Sequence, residues 1–495
     1  MTDKSKLTPA NENPWYVLMT LHGEQDGEEV GDDLHDQNRA VWNAWSCQQL
    51  DDDAAAELAK QAAVDVAETR GWAQIATKVK RKHRAEMKTR NDDDFTYPGF
   101  PDFESAIQCS EIQFCNILAL NGCIFTQDAD FTFATFPQGA DFSSATFTQT
   151  ANFSSATFTQ TAFFSAATFT QGANFISATF TQDANFASAT FTQDAFFYST
   201  TFTQIAFFYS ATFTQDAFFP SSTFTQDADF SSATFTRHAF FLSATFTRNA
   251  DFSSATFDGP AKFVAARFGV RDATETCVPI FTEAAFARLV SFRDADFVTH
   301  YPVLEGTEFR ETVVVTAKSI HWPKAGQPLL DQAAEGAKQV PTKEVAKESC
   351  ATLRHALGKQ GMPEEEHFFF TREMHHAGQI GSWFERLPYR LFGWVSGYGG
   401  SIERPALGLI WLFLAPLGVY LAALGPTSLA TFGKAMALSF ASIFKFLGFQ
   451  RTYSEIVDFQ NVDIIVQMLT ATQTVLSFIL LFFLGLGLRT RFRLR

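Results

Sequence analysis

The stretch ATFTQTANFSSATFTQTAFFSAATFTQGANFISATF, Ala145 to Phe180, carries, besides Phe163, a phenylalanine series at 147, 153, 158, 164, 169, 175 and 180 whose gaps alternate six and five. An 11-residue period is compatible with a right-handed coiled coil. The gaps exclude it: five and six residues turn a helix by about 140° and about 240°, which scatters the rings over different faces. Ser, Thr and Phe are also mediocre helix formers. In extended backbone the pattern resolves at once, because the Ala two residues before each Phe shares its face while the residue between points outward. Each half-repeat is a short strand with a small and a large residue facing inward.

The register extends far in both directions. Phe125, Phe136, Phe147, Phe158 and their successors fall every 11 residues to Phe268, and a second series runs from Phe131 to Phe263. Phe103 and Phe114 continue the first series backward, while Cys109 and Leu120 stand in for Phe in the second. Forward, a two-residue slip after Phe268 leads to Phe281, Phe286, Phe292 and Phe297. Such strands cannot bury their own apolar face alone, so they must stack coil on coil as a solenoid over residues 100–318. Phe153, Phe175, Phe197, Phe219 and Phe241 are spaced 22 apart, two repeats. Coils are then expected about 4.8 Å apart.

The units ADFSS (Ala140 to Ser144) and ANFSS (Ala151 to Ser155) resemble the pentapeptide-repeat family. The resemblance implies a mainly β fold, a right-handed quadrilateral β-helix with the central residue of each unit inside, so that two 11-residue repeats make one coil and Phe153, Phe175, Phe197, Phe219 and Phe241 form one internal ladder. This chain departs from it by using Phe throughout and by adding a sixth residue to alternate units. Asp128, Gly139, Gly172, Asp183, Asp194, Asp216, Asp227 and Asn249 occupy the extra position. These types tolerate turns and left-handed backbone, so a bulged corner with that backbone is expected there. The outward residue before the inner Phe is Asp or Asn in most units, yet Phe at 163, 196, 207, 218 and 240. Phe196, Phe218 and Phe240 fall on one side of the coil and are the candidate docking patch for a partner, another protomer or the N-terminal cap.

Residues 1–99 carry no repeat and are expected to form an α-rich cap, with amphipathic helices around Trp42, Trp45, Leu58, Ala62 and Val66. The strings NPWYVLMTLHGEQDG (Asn13 to Gly27) and LHDQNRAVWNAW (Leu34 to Trp45) resemble the front end of longer bacterial pentapeptide-repeat proteins. Six cysteines show no C-x-x-C pair. Cys109, Cys115 and Cys123 are expected as buried thiols in early coils. Residues 319–380 form a linker and a helical hairpin, in which Ala346, Cys350, Leu353 and Leu357 recur at helical spacing, Gly358 ends the first helix and Pro363 opens the second. Glu364 to His367 and Glu373 to His376 both spell E-x-x-H, but on one helix, which disfavours a di-metal site. No cofactor is expected.

Residues 381–404 resemble an interfacial amphipathic segment, with Trp383, Phe384, Tyr389, Phe392 and Trp394 among arginines. Within 405–495, Pro405 to Gly425 and Ile464 to Leu488 are uncharged and long enough to cross the roughly 30 Å hydrocarbon core. Arg386, Arg390 and Arg404 precede the first span, and Arg489, Arg491, Arg493 and Arg495 follow the second. The positive-inside rule therefore places both ends, and the solenoid, on the cytoplasmic side, and the family resemblance implies that the membrane is a bacterial inner membrane. Ala435 to Phe449 lies between the spans and is short enough to be re-entrant. SGYGGSIERP (Ser396 to Pro405), FLGF (Phe446 to Phe449) and LGLRTRFRLR (Leu486 to Arg495) are similar to the pore module that ends some pentapeptide-repeat proteins. A potassium filter needs a carbonyl ring between its spans, whereas the only G-Y-G, Gly397 to Gly399, precedes the first span and is expected to be a flexible hinge. A wider pore and a non-conducting oligomerisation module stay open.

No P-loop, nucleophile elbow or dinucleotide fingerprint occurs, so the expectation is not an enzyme. The first reading is a membrane-anchored scaffold or sensor coupled to a two-span pore-like or oligomerisation module, with membrane lipid, an unidentified protein and further copies of itself as partners. The second, implied by the resemblance, is a DNA-mimic solenoid that binds topoisomerases; the third is a structural membrane-tethered spacer. The net charge of −15 argues against direct nucleic-acid binding. Residues 125–257 hold nine Asp, no Glu and two Arg, a net −7, which is sparse for imitating a duplex.

Overall fold

In the computed structural model, residues 7–25, 31–92, 94–270, 276–323, 343–425, 428–445, 448 and 464–493 are described. Contacts divide the chain into two units, Met1–Thr352 and Leu353–Arg495. In the first, the Thr-Phe and Ala-X pairs form two-residue strands that pair in parallel with their counterparts 22 residues on, as at Ala151↔Ala173 and Thr157↔Thr179. Four sheets result, with ten and nine strands in the Thr-Phe faces and ten and eight in the Ala-X faces. The protein is thus a four-faced, mainly β solenoid with helical regions at both ends.

The backbone is satisfied between coils. Ala-X strands donate forward, as Phe153 N–H does to Asn174 O (2.7 Å), and Thr-Phe strands donate backward, as Thr157 N–H does to Ala134 O (2.9 Å). Inside, each Phe lies nearly parallel to the Phe one coil away: Phe197 is 5.0 Å from Phe175 and 4.8 Å from Phe219, at interplanar angles of 2° and 3°. Across the coil it meets Phe186 and Phe208 edge-on, both at 5.5 Å. Offset stacks and T-shaped contacts are the two arrangements an aromatic quadrupole favours.

Two corner types alternate, and their chemistry differs from expectation. The left-handed residue is the second Ser of F-S-S-A, not the extra position: Ser155 has φ 56°, Ser177 56° and Ser199 54°, and among the described residues of the extra column only Gly139 is positive. The β-turn is closed by Ala156 N–H to Phe153 O (3.1 Å), and the positive φ at its third residue makes it type II. The extra residue does something else. Asp128 accepts the N–H of Thr150, Asp183 that of Ile205, Asp194 that of Asp216 and Asp227 that of Asn249, each at 3.0 to 3.1 Å. These carboxylates stand in two corner columns, each bonding to the coil above, and satisfy N–H groups that lie outside the sheets.

Three further expectations are corrected. Phe281 is not the slipped member of the first series: Ala250 pairs with Pro279, 29 residues on, so a seven-residue insertion delays the second series and Phe281 stacks on Phe252. Cys109 and Cys123 are buried, but Cys115 is exposed because it follows the inward Phe114 and alternation turns it out. The first strand is Thr8–Pro9, from the N-terminal region itself, paired with Ile112–Gln113.

The N-terminal helices are α1 (Pro14–Met19), α2 (Asp32–Ser46), α3 (Asp52–Gln61) and α4 (Trp72–Thr89). They close the end of the Phe stack: Trp42 lies 5.2 Å from Phe125, Trp45 5.6 Å from Phe103 and Tyr16 5.5 Å from Phe114. Asn43 binds Gly122 O (3.1 Å) and the N–H of Ile124 (2.8 Å), so α2 also covers polar groups of an open sheet edge. At the other end Trp322 stacks on Phe297 at 4.7 Å.

Helix α5 (Lys343–Lys359) runs through Gly358, and the break falls at Gly361, φ 71°. In the second unit α6 (Pro363–Ala377) is tied to α5 by Arg354 to Glu373 at 2.6 Å. That ion pair occupies one E-x-x-H carboxylate, and no cluster able to hold a metal occurs among the described residues. Then come α7 (Trp383–Ser396), α8 (Glu403–Leu414), α9 (Leu417–Leu424), α10 (Leu429–Ile443) and α11 (Ile464–Arg493). The G-Y-G segment is a hydrogen-bonded turn, not a free hinge: Gly399 N–H donates to Ser396 Oγ (3.0 Å) and Ser401 N–H to Ser396 O (2.9 Å).

The first apolar run is broken at Pro416, which cannot donate to Leu412 O. Gln473 of α11 supplies the missing donor, Nε2 to Leu412 O at 3.0 Å, and Ser439 of α10 donates to Phe413 O at 2.8 Å. Gln473 also binds Ser439 Oγ (2.8 Å) and accepts Tyr420 OH (2.6 Å), all buried. In apolar surroundings such side chains hold helices together. The apolar stretch between the two long apolar runs is a 15-residue helix beginning at Leu429, earlier than Ala435. Most of the FLGF stretch lies outside the described residues.

Candidate interaction surface

The outward column decides what the solenoid shows to its surroundings. Where it carries Asp or Asn, the side chain accepts the N–H two residues on, as Asp130 does from Thr132 (3.0 Å), Asn152 from Ser154 (3.1 Å), Asn174 from Ile176 (3.0 Å) and Asp229 from Ser231 (2.9 Å). This is an Asx turn, which helps to set the corner that follows. Phe cannot accept that bond. Five units give it up, and after Phe218 the residue two on is Pro220, which has no N–H to satisfy.

The structure brings three of those five together. Phe196 pairs in register with Phe218, and Phe218 with Phe240. Their half-buried rings stack at 5.3 and 4.9 Å, with interplanar angles of 11° and 7°. Phe163 and Phe207 lie on the other Ala-X face, separated by Asn185, and Phe163 is 41% exposed. Three neighbours widen the first stack. Tyr198 stacks on Phe218 (5.5 Å), His238 on Phe240 (5.3 Å), and the Lys262 ammonium lies 5.1 Å from the Phe240 ring centre. Sequence reasoning missed these three. The signal was present, since Tyr198 and His238 stand two residues from a patch Phe and share its outward face. His238 Nδ1 lies 3.0 Å from Asp216.

The ladder residues Phe125, Phe136, Phe147, Phe153, Phe158, Phe175, Phe197, Phe219 and Phe241 are all fully buried. They are structural. Burial also lifts the Asp227 carboxyl above its ordinary range and pushes the Cys47 thiol up to about 12.

The arginines flank the apolar helices. Arg386 and Arg390 lie on α7, Arg404 in the first turn of α8, and Arg489, Arg491 and Arg493 in the last turns of α11; Arg495 lies outside the described residues. On α7, Trp383, Phe384, Leu391 and Trp394 are exposed, Trp394 by 78%. Glu403–Leu424 and Ile464–Phe492 are long and apolar enough to cross a membrane, and only 11% and 17% of their most apolar windows are buried. Gly408 allows close packing between them, since a Cβ there would lie 3.0 Å from Leu480.

A family model described as pentapeptide repeats (9 copies) matches residues 120–168 and 153–201 of this chain. Neither a curated protein nor a solved structure matches it.

Proposed function

We propose, starting from a pentapeptide-repeat solenoid that carries two C-terminal helices apolar and long enough to cross a bilayer, that this protein is a membrane-anchored interaction scaffold. The carrying observation is the exposure of those helices. A soluble core helix of such hydropathy is mostly buried, whereas Leu407, Ile410, Trp411, Met468, Val475, Phe478 and Phe482 face outward. A contiguous apolar surface of that kind needs lipid or protein against it.

In this reading α8–α9 and α11 form a two-span hairpin, with arginines at the ends nearest α7 and at the C-terminus. Both basic ends, and the solenoid with them, then lie on the cytoplasmic side. The Phe196, Phe218 and Phe240 ladder is the surface that docks a protein partner. The open side of α10 carries Gly433 and Ala437 four residues apart, the spacing that lets helix backbones approach closely, so the membrane module assembles with further copies of itself. The DNA-mimic alternative is less well supported, because the outward columns are aromatic, amide and hydroxyl rather than continuously acidic.

Alkaline carbonate extraction of membranes from cells expressing the full chain tests the anchor. Retention in the pellet is expected, and release into the supernatant overturns the reading. Capture of the partner, compared between wild type and a Phe196→Asn, Phe218→Asn, Phe240→Asn triple variant, tests the patch; equal capture removes it from the surface's function.

A further inference from the structure

We infer that the corner between α7 and α8 is a binding site for a phosphate-bearing headgroup, an inference that rests on the membrane reading above. A cavity of about 470 Å³ opens there, lined by His375, Gln379, Arg390, Trp394, Tyr398 and Arg404, with the backbone of Gly378 and Gly393. No carboxylate lines it. Arg390 makes no ion pair among the described residues. Arg390 and Arg404 thus bring two guanidinium groups to one cavity, an arrangement that an anion between them stabilises. A planar fork of N–H donors matches a phosphate in geometry as well as charge.

The corner is built to hold this arrangement. Arg404 Nη1 donates to Gly393 O at 2.9 Å, fixing one guanidinium against α7. Tyr398 adopts φ 58°, between Gly397 at 56° and Gly399 at 80°, an unusual conformation for a residue with a Cβ. Its ring occupies space that only Gly393 leaves open, since a Cβ there would lie 2.6 Å from the Tyr398 ring. The G-Y-G turn therefore places a hydroxyl-bearing ring on the cavity wall. Gln379 Nε2 lies 2.9 Å from His375 Nε2, which orients that imidazole. Trp394 projects from the rim, where an indole sits comfortably at headgroup level. Basic pockets beside spanning helices are suited to anionic lipid headgroups.

The test uses full-length wild-type and Arg390→Gln chains in an uncharged detergent. Each is titrated calorimetrically with dihexanoyl phosphatidylglycerol, with inorganic phosphate and with dihexanoylglycerol, which lacks phosphate. Arg390 is chosen because it is exposed and, unlike Arg404, bonds to no backbone group among the described residues. Wild type is expected to bind the phospholipid, the variant about tenfold more weakly, and Arg390→Lys to recover part of the loss. If inorganic phosphate binds with the same dependence on Arg390, phosphate recognition stands and its source is the free anion. Equal phospholipid binding by wild type and Arg390→Gln, or equal binding of dihexanoylglycerol, overturns the site. Carbonate extraction of the same variant separates this from the anchor: a variant retained in the membrane with unchanged lipid affinity refutes the site alone.

Discussion

Two adjacent residues offer the sharpest test of the solenoid. Phe197 points inward and Phe196 outward, so Phe197→Ala and Phe196→Asn perturb the same strand in opposite environments. Phe197 is fully buried, stacked at 5.0 and 4.8 Å and met edge-on twice at 5.5 Å. Its removal forfeits the transfer free energy of a phenyl ring and leaves a cavity. The neighbours cannot collapse into it, because each is pinned by its own coil-to-coil backbone bonds, so the cost belongs in the range of about 3 to 5 kcal/mol. Phe196→Asn removes a half-buried ring from the outer stack but restores an Asx acceptor for the Tyr198 N–H, and these offset to within about 1 kcal/mol. Because a repeat array need not unfold in one step, hydrogen exchange resolved over residues 175–219 is the appropriate assay. Phe197→Ala should raise exchange strongly in the flanking coils while Phe196→Asn leaves it near wild type. Equal protection in the two variants would refute the inward and outward assignment.

Gln473→Leu should destabilise the second unit by about 1 to 2 kcal/mol, because Leu412 O and Tyr420 OH lose their buried partner. In a Pro416→Ala background, which returns a backbone N–H to Leu412 O, thermal unfolding in detergent should show a smaller penalty; an unchanged one rules out the clamp. Burial first, then the charges of His375 and Arg372, hold His376 near 4 against its ordinary 6.5. The folded state thus resists protonation, and this contribution is present above pH 6.5 and lost as pH falls toward 4. Exchange of α6 should rise over that window and His376→Gln should flatten the rise; a wild-type profile in that variant assigns the pH response elsewhere. Exposed Cys115 should escape an impermeant thiol reagent in intact cells while Ser428→Cys reacts, and labelling of Cys115 would reverse the proposed topology.

A period of 11 split six and five has one solution in extended backbone, so the inward Phe residues and the outward position of Phe196, Phe218 and Phe240 were legible in the sequence, and the family resemblance supplied two repeats per coil. Alternation is a local property of the chain, and it survives whatever the coil touches. The two apolar runs and their arginines were legible for the same reason, since hydropathy is additive along a segment. Corner conformation was not: whether Ser155 or Asp128 turns left-handed depends on which corner a hydrogen bond closes, and that is set by the stacking of coils. Likewise, the seven-residue delay before Phe281 is visible only as the pairing of Ala250 with Pro279. Gln473 read as one polar residue in an apolar run. Only the packing of three helices shows it donating to the carbonyl that Pro416 leaves unpaired, and only the turn from Gly397 to Gly399 brings Arg390, Arg404 and Tyr398 to one cavity, because contacts between distant segments belong to no local pattern.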